Sequence, residues 1–402
     1  MTDVDPDVVR SLRRLLSRRS VLRGASAAGV LAAGGPLLAA CGTKGAQKSA
    51  SEQAAATDLS SKEKVVNFSN WPLYIDVDAK NQKKHPTLDE FTAQTGITVN
   101  YVEDINDNDQ FFGKIRADLA AGNDIKRDII VLTDWMAARL IRLKWVQKFN
   151  PKNVTNATNL EPSLHEAEYD PDRQYSLPWA GVMAGIAYNS KVTKRVNTIS
   201  ELFTRADLKG KVTALTEMRD TVGLTLLDGG SDPATVTDAQ FDEALATIEG
   251  AVKSGQIRRF TGNDYTQDLA SGNVAACICW SGDIVQLQAD NPEIKFVTPD
   301  AGATRGNDNM LIPNKAQHKK NAETLINYYY DKNVAAKLAE YVNYICPVVG
   351  AKEVLEKTNP AVANNTLIFP SDAILAKLHS FKALDDKTEQ AYNTKFQKVI
   401  GA

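Results

Sequence analysis

The chain has 402 residues, 47 of them basic and 49 acidic, for a net charge of −2, and 43% of its residues are hydrophobic. That apolar content supports sizeable cores and excludes an intrinsically disordered chain, and the length fits two domains or one two-lobed unit. Beyond the first 23 residues no Lys/Arg cluster stands out, which argues against a nucleic-acid partner, and the four His are too scattered to hold a structural metal.

The N-terminus reads as an address. Six Arg crowd the first 23 positions, an uncharged run follows over 24–40, and such a segment is left out of fold reasoning. Residues 17–23 read SRRSVLR, which resembles the twin-arginine consensus. Leu38, Ala39, Ala40 and Cys41, followed by Gly42, resemble a lipobox, at which the signal is cut and Cys41 acylated. At about 0.8 kcal/mol per buried CH₂, one acyl chain holds marginally and two or more anchor stably. The run 24–40 is too short and Gly-rich for a spanning helix, which needs roughly 20 apolar residues. Residues 42–62 are rich in Ala, Ser and Lys, a tether composition. The expectation is a signal over 1–40, a lipidated Cys41 and tether over 41–62, and a body over 63–402 on the extracytoplasmic face of the cell membrane. Removing six Arg and three Asp takes the net charge from −2 to −5, compatible with attracting a cation. Of the three remaining Cys, Cys277 and Cys279 lie on one strand face about 7 Å apart, too far to pair. By resemblance, twin-arginine cargo folds in a reducing compartment, so buried thiols are expected for Cys277, Cys279 and Cys346.

Within the body, an apolar run at 65–68 reads as a strand, helical spacing over 88–95 stops at Gly96, and 97–102 alternates as a second strand. The pattern repeats with a helix over 110–121, a strand over 128–132 and a helix over 135–143. This alternation predicts a parallel sheet flanked by helices, with right-handed crossovers. After 175–179 a second α/β region follows, with strands at 185–188 and 211–215 and a helix over 237–254 whose Phe241, Leu245, Ile248 and Val252 share a stripe. Strands at 275–279, 294–297 and 310–312, a helix over 322–330 and helical segments after Ser371 complete the chain. Two α/β lobes that exchange the chain more than once would hold a cleft between them.

Ligands of open α/β sheets bind beyond the carboxyl ends of the strands. There the sequence places Asn70, Trp71, Pro72, Leu73 and Tyr74; then Thr133, Asp134 and Trp135; then Thr216, Glu217, Arg219 and Asp220; and last Trp280, Ser281, Gly282 and Asp283. Singly each reads as packing, a turn or a cap. Their recurrence suits an ammonium ligand, since a ring face attracts a cation by about 0.5 to 2 kcal/mol and a carboxylate gives it a charge-assisted hydrogen bond. An enzyme is not expected: GxSxG, HExxH and GxxxxGK[ST] are absent, and Ser281 lacks the flanking Gly pair of a nucleophile elbow.

The segments NFSNWPLYI, DEFTAQTGITVNY, DIIVLTDW, YSLPWAGVMAGIAYN, DLKGKVTAL, LASGNVAACICWSGD and NDNMLIP are similar, in order, to segments of the spermidine/putrescine-binding proteins of ABC importers. The resemblance implies a type II periplasmic-binding-protein-like α/β fold, two lobes joined by hinge strands around a ligand cleft. Lobe 1 is expected over about 63–175 plus 300–340, and lobe 2 over about 176–299 plus 341–402. It implies polyamine capture (putrescine or spermidine) outside the membrane and delivery to an ATP-driven permease, by a monomer without cofactor, metal or nucleic acid. Carried over residue by residue, Trp71 and Tyr74 stack on the alkyl chain, Thr133 and Trp135 follow the third strand, and Glu217 and Asp220 follow the second-lobe strand, with Asp220 gripping an amine. Trp280 stacks, Asp308 is the other amine-binding carboxylate, and Tyr344 closes the pocket. Trp71, Tyr74, Trp135 and Trp280 would then form a slot with Asp220 and Asp308 at its ends. Two positions depart from the family pattern: Gly306 replaces a Trp, and Lys382 stands where a Gln is expected. Both bear on which solute fits, and ferric iron, a betaine, an opine or an amino-acid derivative are the alternatives on the same fold.

Overall fold

The computed structural model describes residues 56–105, 108–262 and 264–401. The signal over 1–40, the lipidation site Cys41 and the tether up to residue 55 lie outside them. The first lobe begins with β1 (Val65–Asn70), α1 (Pro86–Thr95), β2 (Thr98–Glu103), α2 (Asn108–Ala121), β3 (Ile129–Thr133) and α3 (Asp134–Arg142). β1 lies between β2 and β3, parallel to both, as the alternation predicts. Gly96 ends α1 with φ 72° and returns its N–H to the Thr92 carbonyl, a left-handed cap that suits Gly because it has no Cβ.

The chain continues through β4 (Leu177–Asn189), α4 (Ile199–Thr204), β5 (Val212–Leu215), α5 (Met218–Asp228), α6 (Asp238–Lys253), β6 (Ile257–Thr261), α7 (Tyr265–Ser271), β7 (Ala276–Trp280), α8 (Ser281–Asp290) and β8 (Ile294–Val297). Then come β9 (Ala303–Leu311), α9 (Lys319–Tyr329), α10 (Lys332–Val342), α11 (Ala351–Thr358), α12 (Pro360–Ala363), α13 (Asp372–Leu375), β10 (Leu378–His379) and α14 (Asp386–Ile400). One sheet runs through the described residues in the order β2-β1-β3-β9-β4-β7-β5-β6, with β8 on β4 and β10 on β9.

The antiparallel strands β4 and β9 belong to both lobes. Asp308 to Leu311 of β9 pairs with β3, while Ala184 to Tyr188 of β4 pairs with β7. Both are longer than the short runs at 185–188 and 310–312 expected from apolar content. Residues 303–309 read ATRGNDN, a polar stretch without alternation. They form a strand nonetheless because they cross between lobes, where the sheet faces a cleft instead of a core. Helix α5 also escaped the sequence: nine of its eleven residues are buried, so it has no polar face to give it a period.

Lobe 2 is centred on Ile186, Leu215, Phe241, Ile248 and Ile278. In α6 the expected stripe is buried at Phe241, Leu245 and Ile248, and a capping box between Thr237 and Gln240 starts the helix. Helix α14 docks on it, with Tyr392 stacked on Phe241 at 3.6 Å between centroids. Lobe 1 has a core on each face of its sheet, one around Phe68, Val131 and Met310, the other around Ile130, Leu132 and Leu311. The lobe boundary needs correction here. Val342, Cys346, Val348, Leu355 and Ile368, expected with lobe 2, pack in the first of these lobe 1 cores; only the last stretch, with Leu384, Tyr392 and Phe396, returns to lobe 2. The α10 helix and the α11 to α12 segment bury their apolar residues on the nearer core, which adds to stability about 25 cal/mol per Å² covered. Cys277, Cys279 and Cys346 are buried and unpaired. No helix among the described residues is long and apolar enough to cross a membrane.

Candidate ligand-binding site

A cleft of about 1660 Å³ opens between the lobes over β4 and β9. All nine residues singled out from the sequence line it: Trp71, Tyr74, Thr133, Trp135, Glu217, Asp220, Trp280, Asp308 and Tyr344. They reach it from six separate stretches of chain: four at or just past the ends of β1, β3, β5 and β7, one within β9 and one after α10.

The turn after β1 delivers the first pair. Leu73 takes a left-handed φ of 60°, uncommon and costly for a side chain of its type, and its N–H is held by Glu103 Oε1. That turn brings Tyr74 inward, where its hydroxyl donates to Asp308 Oδ2 at 2.8 Å. Trp71 donates its indole N–H to the Val131 carbonyl, fixing the ring against lobe 1. Tyr344 meets Tyr74 edge-on at 5.3 Å and 85°.

Asp308 is buried and incompletely satisfied. It is 6% exposed, and its Oδ1 is buried without a partner. Burial, reinforced by the negative fields of Asp134, Asp220 and Glu217 and opposed by the Tyr74 hydrogen bond, pushes its pKa up to about 7. A buried carboxylate short of partners is a cost in the empty protein. Burial likewise raises the Tyr74 pKa, with the charge of Asp308 adding to it.

In lobe 2, Glu217 caps α5 by accepting from the Arg219 N–H, and Asp220 sits in the first turn. Both Asp220 oxygens are held, Oδ2 by Trp280 Nε1 and Oδ1 by Thr304 Oγ1, each at 2.8 Å. Burial raises its pKa, while these two donors pull it back. Trp280 is therefore oriented by the acid it accompanies, and its backbone N–H donates to the Tyr265 hydroxyl.

Trp135 departs from the expected slot. The Arg219 guanidinium lies 4.2 Å and that of Arg139 5.1 Å from its ring centre, so its face is already occupied by cations. The reason is Glu389 on α14, a buried acid that accepts from Arg219 Nη2 at 2.6 Å and Arg139 Nη2 at 3.1 Å. This group ties α3 of lobe 1 to α5 and α14 of lobe 2. Lys382, the other departure, lines the cleft and donates to the Val236 carbonyl.

Three further contributors stand outside the nine residues singled out, two of them among the strand-end residues the sequence places at the cleft. Asp283 accepts from the hydroxyls of Tyr265 and Tyr344, linking the lobes across the cleft. Asp134 accepts from Tyr169, Asn307 and Asn309. Both stand at strand ends in the sequence, and position there was the available signal. Thr304 had none, because its strand was not recognised.

With the cleft and its hinge strands in place, comparison with known proteins is decisive. A sequence family described as "Bacterial extracellular solute-binding protein" matches residues 87–370. The chain belongs to this family. Among relatives of this solute-binding protein, the Spermidine/putrescine-binding periplasmic protein 1 of Haemophilus influenzae is 26% identical over 368 residues, covering 91% of this chain and 95% of that one. The spermidine/putrescine ABC transporter substrate-binding protein PotD of Streptococcus pneumoniae superposes with a TM-score of 0.71 at 22% identity, covering 84% of this chain and 98% of that one. The Tp0655 (TpPotD) lipoprotein of Treponema pallidum gives 0.72 at 20% identity, over 84% and 100%. These likenesses establish the two-lobed type II fold of this solute-binding protein. The family and the relatives named here are solute-binding proteins.

Proposed function

We propose that the protein captures a linear polyamine in the interlobe cleft and delivers it to an ABC permease of the cytoplasmic membrane. The observation that carries this reading is a pair of acids, buried Asp308 with an unpartnered oxygen and half-buried Asp220 beyond it, flanked by the rings of Tyr74, Tyr344, Trp71 and Trp280. Ammonium ends would pair the acids, and methylenes between them would lie on the rings. The names of the curated relatives, which specify spermidine and putrescine, support the same class. Closure would follow when the dication relieves the buried charge, since a ligand shifts a hinge equilibrium by its differential affinity for the closed state.

SRRSVLR and LAAC support export by the twin-arginine route and a lipid anchor at Cys41, with a monomer carrying the ligand. A tyrosine-ligated iron site is not favoured: Tyr329 and Tyr330 are buried in lobe 1, and none of Tyr328, Tyr329 and Tyr330 lines the cleft. Thermal unfolding with putrescine, spermidine, cadaverine, betaine and amino acids tests the reading. A ligand at 100 times its Kd adds about 2.7 kcal/mol to stability, so polyamines alone should raise Tm; a rise with betaine or an amino acid only would overturn it.

A further inference from the structure

Along one face of β9 the residues Thr304, Gly306 and Asp308 follow one another at steps of about 6.6 Å, because alternate residues of a strand share a face. Thr304 holds Asp220, and Asp308 is itself an acid with an unpartnered, buried oxygen. Between them Gly306 presents no side chain. Its φ is not in the left-handed region, so its backbone does not require glycine, and a glycine inside a strand weakens it. A Cβ placed there would find only one heavy atom within 4 Å, the Asp134 Oδ2 at 3.8 Å. The bare strand thus opens the cleft floor onto a third carboxylate.

Asp134 is fixed in place. Tyr169 and Asn309 donate to its Oδ1 at 2.5 and 2.8 Å, and the Asn307 N–H and side-chain amide donate to its Oδ2 at 2.7 and 3.2 Å. These donors are neutral. Arg305, Asn307 and Asn309 alternate to the other face of β9, so Asp134 stands at the strand's edge, held by the two Asn and 3.8 Å from where a Cβ on Gly306 would lie; its field and that of Arg305 attract one another, and it raises the proton affinity of Asp308.

We propose that Asp134 and Gly306 form a middle subsite that selects a linear triamine over a diamine. The inference rests on the polyamine reading and adds the number of ammonium groups to it. Asp220, held by Thr304, then Asp134, at the strand edge beside Gly306, and then Asp308 are met in that order along β9. A chain with three and four methylenes between nitrogens spaces its ammoniums by roughly 5 and 6 Å at ordinary bond lengths, one to each acid. The central secondary ammonium crosses over Gly306, where any side chain would lift it off Asp134. A diamine pairs two acids and leaves the third without a cation.

Isothermal titration of the protein with spermidine and with putrescine, for the parent chain, Gly306→Val and Asp134→Asn, tests this. The parent should bind spermidine at least about tenfold more tightly, the value of one added charge-assisted contact. In both variants the ratio of the two affinities should fall to near one. Gly306→Val removes none of the donors that hold Asp134, so it remains informative if Asp134→Asn folds poorly. A ratio that stays near tenfold in Gly306→Val would overturn the middle subsite. Comparable parent affinities for both amines would also overturn it while leaving the polyamine reading intact, and saturable binding of neither would overturn both.

Discussion

Tyr74 gives its only hydroxyl proton to Asp308 at 2.8 Å, and the second oxygen of that carboxylate stays buried with no partner. One donor orients the acid without satisfying it, which is the state expected of a group reserved for a cationic ligand. Asp308→Asn should therefore lose about 2 to 5 kcal/mol of polyamine affinity, the usual cost of removing one member of a buried charge pair. The same variant should unfold at an equal or higher temperature than the parent when empty. Loss of Tm with unchanged affinity would make Asp308 a structural residue.

The elevated pKa of Asp308, about 7, sets a pH dependence. An unfolded Asp releases its proton near pH 3.9, so between about pH 4 and pH 7 the folded chain holds a proton that the unfolded chain lacks, and rising pH destabilises the empty fold through this group. Binding a cation requires the charged form. Affinity should rise from about pH 6 to about pH 8 by up to one proton per ligand, read as proton release in buffers of different ionisation enthalpy. A flat profile would place the acid outside the binding equilibrium, and Asp308→Asn should flatten it.

Glu389 gathers Arg139 and Arg219, its side chain 3% exposed. Removing one partner of a buried ion group leaves uncompensated charge and typically costs about 3 to 5 kcal/mol. Glu389→Ala should lower stability on that scale in denaturant titration, and a loss below about 1 kcal/mol would mean that water reaches the two guanidinium groups.

Gly282 allows Tyr344 to reach Asp283. A Cβ on Gly282 would lie 2.4 Å from the Tyr344 ring, closer than any real contact. Gly282→Ala should push Tyr344 aside, break its 3.1 Å bond to Asp283 and weaken ligand binding by roughly tenfold, about 1.4 kcal/mol. Unchanged affinity would exclude Tyr344 from the residues that hold the ligand.

Much of this was readable in the chain. Phe241, Leu245 and Ile248 announce α6 through their spacing, and the strand-end positions of Trp71, Tyr74, Thr133, Asp220 and Trp280 converge because a doubly lobed sheet directs them to one place. Residues 303–309 were opaque, since a strand bordering a cleft need not alternate apolar and polar residues, and with them Thr304 was lost. Segment 341–368 was assigned to the wrong lobe because periodicity identifies a buried face without saying which core buries it. The engagement of Trp135 depends on Glu389, more than 240 residues away in sequence, a distance no local pattern spans.

A crystal structure of the protein with spermidine tests the central claim most directly. The account predicts closed lobes with an ammonium nitrogen about 3 Å from Asp308 Oδ1 and the alkyl chain against Tyr74 and Trp280. A bound ligand that leaves Asp308 Oδ1 still without a partner would contradict it.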